Sequence, residues 1–395
     1  MAQSKPRIAP HVAELPKSGI RKFFDIVAQS KDIVSLGVGE PDFDTPWHIS
    51  RAAVTCLEDG GTHYTSNLGT PELRRAIGRY LARRFGAEYS WENQILVTVG
   101  VSEAIDLAIR SICSPGDEVL YHEPCFVSYA ATIRLAHATP VAVETRVEDE
   151  FRLTVEALEK KVSPKTKALL LNFPCNPTGA TLRHEDVVAI LDFAERHDLI
   201  VLADEVYAEL FYTEGTDESE KLESFSSHLK YFNRVILLNG FSKAWAMTGY
   251  RLGFVAGPED LVDAMMKIHQ YGIMSAPTLA QAAGVEAMEH GDKDVAKMRR
   301  EYKRRRDFLV PALNDLGLNT FMPAGAFYVF PDVRTTGLSS EEFAMRLLKE
   351  YGVACVPGEA FGACGNGFVR MSYATSLEKI KLAVERIGRM IKSLN

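Results

Sequence analysis

The side chains best suited to chemistry in this chain stand at the ends of short apolar runs. Ile200-Val201-Leu202-Ala203 is followed by Asp204-Glu205-Val206-Tyr207, and Leu169-Leu170-Leu171 by Asn172 and then Phe173-Pro174-Cys175-Asn176-Pro177-Thr178-Gly179. Val235-Ile236-Leu237-Leu238 is followed by Asn239-Gly240-Phe241-Ser242-Lys243, and the run at 95–99 by Gly100-Val101-Ser102 at a helix start. An acid, an amide, an amine and a nest of helix-start amides are groups that bind an anion and move a proton. Each has a plain structural reading: Asp204 as a strand end, Lys243 as a solvated amine, Asn176-Pro177 as a turn, Ser102 as an N-cap. Taken together they point to a site, because ligands of open α/β sheets bind outside the carboxyl ends of the strands.

The elements that must position these groups follow from the pattern of apolar residues. Runs at 95–99, 118–121, 140–143, 168–171, 200–203, 235–238 and 252–256 are apolar without alternation, which predicts strands buried on both faces. Helical stretches separate most of them. Thr70-Pro71-Glu72-Leu73 reads as an N-cap with Pro at the first helical position, opening a helix over 71–85. Ser102 reads as the cap of a helix to Cys113, and a third helix spans 184–197. Strand alternating with helix predicts an α/β sheet with right-handed crossovers. After Met274 the pattern changes to helices over 282–290 and 292–316, a hairpin-like stretch at 323–330 and a helix over 340–351. Strands at 353–356 and 368–373 and a last helix from Ser376 complete a smaller α+β domain.

Composition narrows the function classes. The chain has 395 residues, 46% apolar and 25% charged, an ordinary globular balance that excludes disorder and collagen. Its 45 Lys and Arg against 52 Asp and Glu leave a net charge of −7, which gives no broad field for a nucleic-acid partner. The most basic run, Arg299-Arg300-Glu301-Tyr302-Lys303-Arg304-Arg305-Arg306, reads as a solvated helix face. The six cysteines form no CxxC pair and read as reduced thiols of a cytoplasmic protein, with no metal site expected. No apolar run approaches the ~18 residues of a membrane span, and the first residues lack the apolar segment of a signal peptide. Gly37-Val38-Gly39-Glu40-Pro41-Asp42 begins like GxGxxG but carries Asp42 at the third glycine, and no GxxxxGK[ST] exists. Dinucleotide and P-loop readings lose their support.

The series Asn176-Pro177-Thr178-Gly179, Asp204-Glu205-Val206-Tyr207 and Ser242-Lys243-Ala244-Trp245-Ala246-Met247-Thr248-Gly249-Tyr250-Arg251-Leu252-Gly253 resembles the signature of class I/II aminotransferases, fold-type I enzymes that use pyridoxal 5′-phosphate. The likeness runs from Ser18-Gly19-Ile20-Arg21-Lys22-Phe23 through His63-Tyr64-Thr65 to Gly367-Phe368-Val369-Arg370-Met371-Ser372-Tyr373-Ala374. It is strongest toward the aromatic and broad-specificity branch and the N-acetyl-diaminopimelate branch. The resemblance implies a seven-stranded, mostly parallel sheet with helices on both faces, plus a smaller α+β domain. It divides the chain into an arm and part of the small domain at 1–45, a large cofactor-binding domain at 46–280 and a small domain at 281–395.

The same resemblance implies roles. Lys243 would form the Schiff base with the cofactor aldehyde and then shuttle the proton. Asp204 would keep the pyridine nitrogen protonated, Asn176 and Tyr207 would hydrogen-bond the ring's phenolic oxygen, and Phe126 would stack on the ring. The amides at Gly100, Val101 and Ser102, the Ser242 hydroxyl and Arg251 would hold the phosphate. Tyr64 would reach the phosphate of a neighbouring subunit, so the chain would be a homodimer with shared sites. Arg370 would grip the substrate α-carboxylate, with Gly39 and Asn176 beside it.

Departures from the pattern bear on the substrate. Gly240 stands where many relatives carry a hydroxyl for the phosphate. No Lys or Arg lies between Ile268 and Asp292, where aspartate-type relatives place a side-chain clamp, and His269 is the only cationic candidate there. Ile20, Phe24 and Ile273 would line the side-chain pocket, with Arg21 as a mobile cation. The expected reaction is transamination of an α-amino acid with a 2-oxo acid, 2-oxoglutarate or similar, with aromatic or other uncharged donors favoured over aspartate. A β-lyase or decarboxylase of the same fold would use the same Lys243 and Asp204. The sensing domain of a transcription regulator would follow a DNA-binding unit on the order of 100 residues, yet the likeness starts by Ser18. A nicotinamide dehydrogenase lacks its glycine fingerprint.

Overall fold

A computed structural model describes residues 7–15, 32–213 and 222–394. The segment Ser18 to Phe24, with Ile20 and Arg21, lies outside the described residues. After a short β1 (Val34–Ser35), all seven predicted strands form: β2 (Ile95–Thr98), β3 (Glu118–Glu123), β4 (Thr139–Glu144), β5 (Thr166–Asn172), β6 (Ile200–Asp204), β7 (Val235–Gly240) and β8 (Gly253–Ala256). They make one sheet in the order β2-β8-β7-β6-β5-β3-β4. Only β8 runs against its neighbours. Alternate residues of each strand enter opposite cores. Leu169, Leu171, Val201 and Ala203 pack with Ile190, Leu191 and Phe193 of the helix His184–Arg196. Leu170, Leu202, Ile236 and Leu238 pack with Ile105, Ala108 and Ile109 of the helix Gly100–Ile112. Both faces are covered, which is why these strands read as unbroken apolar runs.

Helix ends follow local chemistry in most places. Thr70 accepts from the Leu73 N–H at 3.4 Å, Pro71 opens the helix Pro71–Phe85, and Gly86 closes it at φ 66°. Ser376 caps the last helix, Leu377–Lys392. Ser102 does not cap its helix. The helix starts at Gly100 with Val99 as N-cap, and the Glu103 carboxylate accepts the Val99 N–H at 2.5 Å. Ser102 thus sits in the first turn, with its amide free to face a ligand.

A further core joins Val34 and Leu36 to residues 298–390 of the C-terminal part. The stretch 323–330 is not a hairpin: β9 (Tyr328–Val329) pairs antiparallel with β12 (Val369–Ser372), and Gly325 bridges Phe211. The predicted strand at 353–356 is two. β10 (Val353–Ala354) pairs parallel with β1, and β11 (Val356–Pro357) pairs antiparallel with β12. Nor is the basic run wholly solvated. Arg305 reaches Asp42 at 2.8 Å and Arg306 reaches the Pro323 carbonyl at 2.8 Å, both guanidinium groups being buried on the helix Asp292–Asp315. Fixed anionic and carbonyl partners let those two enter the interior.

Candidate active site

Parallel register sets the floor of the site. Asn172 at the end of β5 lies opposite Asp204 at the end of β6. The Asn172 amide donates to the Asp204 carbonyl at 3.0 Å, and its Oδ1 accepts the Asn176 N–H at 3.0 Å, which hangs the following loop on the strand end. Asp204 is buried. Tyr129 donates its hydroxyl to Oδ2 at 2.7 Å, and the Val206 N–H donates to Oδ1 at 3.2 Å. Burial pushes this carboxyl up to about 6, against those hydrogen bonds and the Lys243 charge. Behind it, His122 Nε2 accepts the Asn172 N–H at 3.1 Å and its ring stacks on Phe173. Burial holds His122 down to about 4, so that imidazole is neutral.

Lys243 follows β7. Its Nζ donates to the Gly39 carbonyl at 2.8 Å. Burial pulls this amine down to about 8, and the Glu40 carboxylate opposes the shift. The guanidinium of Arg370, on β12, is buried between Tyr328 and Phe361, 4.6 and 4.8 Å from their ring centroids. One N–H donates to Asn176 Oδ1 at 2.9 Å and another to the Gly37 carbonyl at 2.7 Å. Its Nε is buried with no hydrogen-bond partner. A Cβ on Gly39 would lie 3.7 Å from both terminal nitrogens of Arg370, so the Gly39 backbone separates the amine from the guanidinium. Tyr207 and Tyr328 share a hydrogen bond of 2.9 Å between hydroxyls.

At the other end stands an anion cradle. Gly100 has φ +72°, and a Cβ there would fall 2.7 Å from Arg251 Nη2. A Cβ on Gly253 would fall 2.8 Å from the Val101 nitrogen. Glycine at these two positions lets Arg251 and the helix N-terminus close on one spot. A Cβ on Gly240 would meet Val101 Cγ2 at 2.9 Å; the hydroxyl missing at 240 goes with a valine that fills its place.

One cavity of about 640 Å³ takes in Gly39, Val101, Ser102, Phe126, Asn176, Asp204, Tyr207, Ser242, Lys243, Arg251 and Arg370. Gly100 adjoins it through Arg251. Tyr64 does not enter it: the residue is 84% exposed and lines a separate depression with Ser275 and Thr278. His269 is fully buried, with Nδ1 2.7 Å from Glu103 Oε1, and does not line the cavity. Tyr129, Tyr328, Asn172 and Glu40 join the site without having been among the residues expected there. Asn172 did carry a signal as a polar residue ending a buried strand, whereas nothing local marks Tyr129 or Tyr328.

The donor set fits pyridoxal phosphate with an amino acid beside it. The cradle suits a phosphate, the buried Asp204 suits a protonated ring nitrogen, the amine of Lys243 suits an aldehyde, and the part-free fork of Arg370 suits a carboxylate. The whole-chain comparisons agree. The family model for aminotransferase class I and II matches residues 31–387. An aspartate aminotransferase of Pyrococcus abyssi is 47% identical over 95% of this chain and 96% of its own. Aromatic-amino-acid aminotransferase 2 of Thermococcus litoralis is 46% identical over 95% and 96%. The crystal structure of an aromatic aminotransferase from Pyrococcus horikoshii superposes with a TM-score of 0.89 at 45% identity, covering 94% of this chain and 99% of that one. A match along nearly its whole length shows that the chain belongs to the class I and II aminotransferases, pyridoxal-phosphate-dependent enzymes that transfer amino groups.

Proposed function

We propose that the enzyme transfers the amino group of an α-amino acid to a 2-oxo acid such as 2-oxoglutarate, with aromatic or other uncharged donors preferred over aspartate. One observation carries the reading: Arg370 is buried, holds only neutral carbonyl oxygens and keeps Nε unpartnered. A buried guanidinium in that state suits an incoming carboxylate. The bound cofactor supplies an electron sink for the bond broken at Cα.

The chain's own groups do the rest. Asp204, steadied by Tyr129, would hold a proton at the ring nitrogen. The Asn176 amide, its Oδ1 already taken by Arg370, is left to donate to the ring oxygen, and Tyr207 would donate there with Tyr328 donating into the bond the two hydroxyls share. Phe126 would cover the ring face. The Val101 and Ser102 amides, the Ser242 hydroxyl and Arg251 would bind phosphate. Lys243 would carry the proton between Cα and the cofactor carbon, for which an amine near pH 8 is suited.

The donor preference rests on the cations of the cavity. Among the described residues lining it, these are Lys243, Arg251 and Arg370, each placed for another task, while Glu40 adds a negative charge. A donor carboxylate there would lose water without gaining a partner. The exposure of Tyr64, with Tyr271 at 89% and Ile273 and Met274 also exposed, supports a homodimer in which Tyr64 completes the partner's phosphate site. The core that joins Val34 and Leu36 to residues 298–390 supports an arm and small-domain part at 1–45, a large domain at 46–280 and a small domain at 281–395, and the cysteines support a cytoplasmic location. Among the described residues no helix is long and apolar enough to cross a membrane.

The test is the visible spectrum of the purified protein followed by kcat/KM for phenylalanine, tyrosine, alanine, methionine and aspartate with one common oxo acid. A cofactor band with aspartate below the aromatic donors is expected. Aspartate ahead by about tenfold (about 1.4 kcal/mol) would overturn the preference, and turnover to ammonia without amino transfer would overturn transamination.

A further inference from the structure

Away from the cavity, His184, Glu223 and His228 converge. His184 opens the helix His184–Arg196, and Glu223 and His228 flank the single turn Phe225–Ser227. Glu223 Oε1 lies 2.9 Å from His184 Nδ1 and 2.8 Å from His228 Nε2. The three candidate ligand atoms are within 4.8 Å of one another. His228 Nε2 is buried, yet it makes no hydrogen bond of acceptable geometry even at that separation. Two imidazole nitrogens thus crowd one carboxylate oxygen, and a buried polar atom is left unsatisfied.

We propose that these three residues form a zinc site. Zinc bonds to imidazole nitrogen at about 2.0–2.1 Å and to carboxylate oxygen at about 2.0–2.2 Å, which sets neighbouring tetrahedral ligands about 3.3 Å apart. The two nitrogen–oxygen separations of 2.8 and 2.9 Å would widen by about half an ångström to admit the ion, and the two nitrogens, which lie within 4.8 Å of each other, would come to the same spacing. The ion would give His228 Nε2 its missing partner. Two imidazoles and one carboxylate favour zinc over magnesium or calcium, which take oxygen ligands, and a water would fill the fourth position. The nearest cation in sequence, Arg183, is engaged with Glu150 and Glu185 at 3.7 and 3.9 Å. The ligands are 39 positions apart at their first gap, so no short motif announces them.

The site is structural rather than catalytic, since none of the three residues lines the cavity. Its effect would pass along a short strap. Ser224 donates its hydroxyl to Glu205 Oε2 at 2.7 Å, and the Phe225 N–H donates to Oε1 at 2.9 Å. Glu205 follows Asp204 at the end of β6. The metal would therefore pin that strap to the start of the helix His184–Arg196.

The experiment is titration of chelator-stripped holoenzyme with zinc chloride at neutral pH, against a chromophoric zinc indicator, together with scanning calorimetry. Wild type, His184→Ala, His228→Ala and the double variant are compared, with magnesium chloride as the control ion. One zinc per chain is expected, with a raised Tm and no response to magnesium. Each single variant should bind at least about tenfold more weakly, and the double variant should lose the site. His184 is exposed, so its variant keeps the fold, which its cofactor absorbance and zinc-free Tm will show. Sub-stoichiometric binding by wild type, or equal binding by wild type and the double variant, would overturn the proposal.

Discussion

Replacing Arg370 with lysine separates the charge of this residue from its geometry. The ammonium keeps one positive charge, but it cannot make two parallel bonds to a carboxylate or lie flat between Tyr328 and Phe361. A hydrogen bond to a charged group contributes about 1.5–3 kcal/mol, and the lost stacking about 0.5–1 kcal/mol. The sum, about 2–4 kcal/mol, corresponds to about 30- to 1,000-fold in kcat/KM. The assay is the single-turnover half-reaction with phenylalanine, followed by loss of cofactor absorbance, beside the same reaction with phenethylamine. The amine lacks the α-carboxylate, so its slow rate should fall at least about tenfold less than that of phenylalanine. Loss of the Asn176 and Gly37 contacts would reach both donors equally and cancels in the ratio. If Arg370→Lys slowed the amine as much as the amino acid, the guanidinium would not be the carboxylate grip.

The other expectations concern charge, stability and assembly. In the cofactor-free protein the Lys243 amine sits near pH 8 instead of the usual about 10.4, so its neutral, nucleophilic form grows as pH rises through 8. The rate at which added pyridoxal phosphate becomes fixable by borohydride should climb through about pH 8 and level off. A climb continuing past about pH 10, or fixation retained in Lys243→Ala, would remove the assignment. Burial lifts Glu205 to about 7 from the usual about 4.3. The folded state therefore binds the extra proton between those values, and stability should fall as pH rises through that window. Glu205→Gln should flatten that part of a plot of Tm against pH, and an unchanged slope would refute the attribution. An inactive Tyr64→Ala variant mixed with an inactive Arg251→Ala variant should recover part of the activity, because a hybrid dimer holds one site free of both changes. A fully active monomer would rule out shared sites.

The elements and the chemical inventory were legible in the chain because their signals are local. A strand covered on both faces must be apolar at every position, so β2 to β8 showed as unbroken runs, and a polar residue after such a run marks a strand end at the ligand edge. The identities of Asp204, Lys243 and Asn176 were readable from those positions and from the signature series. The pairing of partners was not. Tyr129 and Asp204 are 75 positions apart, and their hydrogen bond exists only because the helix Ser128–Leu135 packs against β4 and the helix Gly100–Ile112. Arg370 is held by residues 194 and 333 positions away, so its part-free fork had no sequence mark. Ser102 looked like a cap, but the helix begins two residues earlier, at Gly100 with Val99 as its N-cap, so Ser102 falls inside the first turn. Arg305 and Arg306 looked solvated because charge alone predicts exposure, and the anionic and carbonyl partners that draw them inward come from distant loops. Periodicity and residue type therefore determined which strands form and which groups end them. Packing decided which of those groups meet, because each meeting depends on the angle and register of elements far apart in the chain.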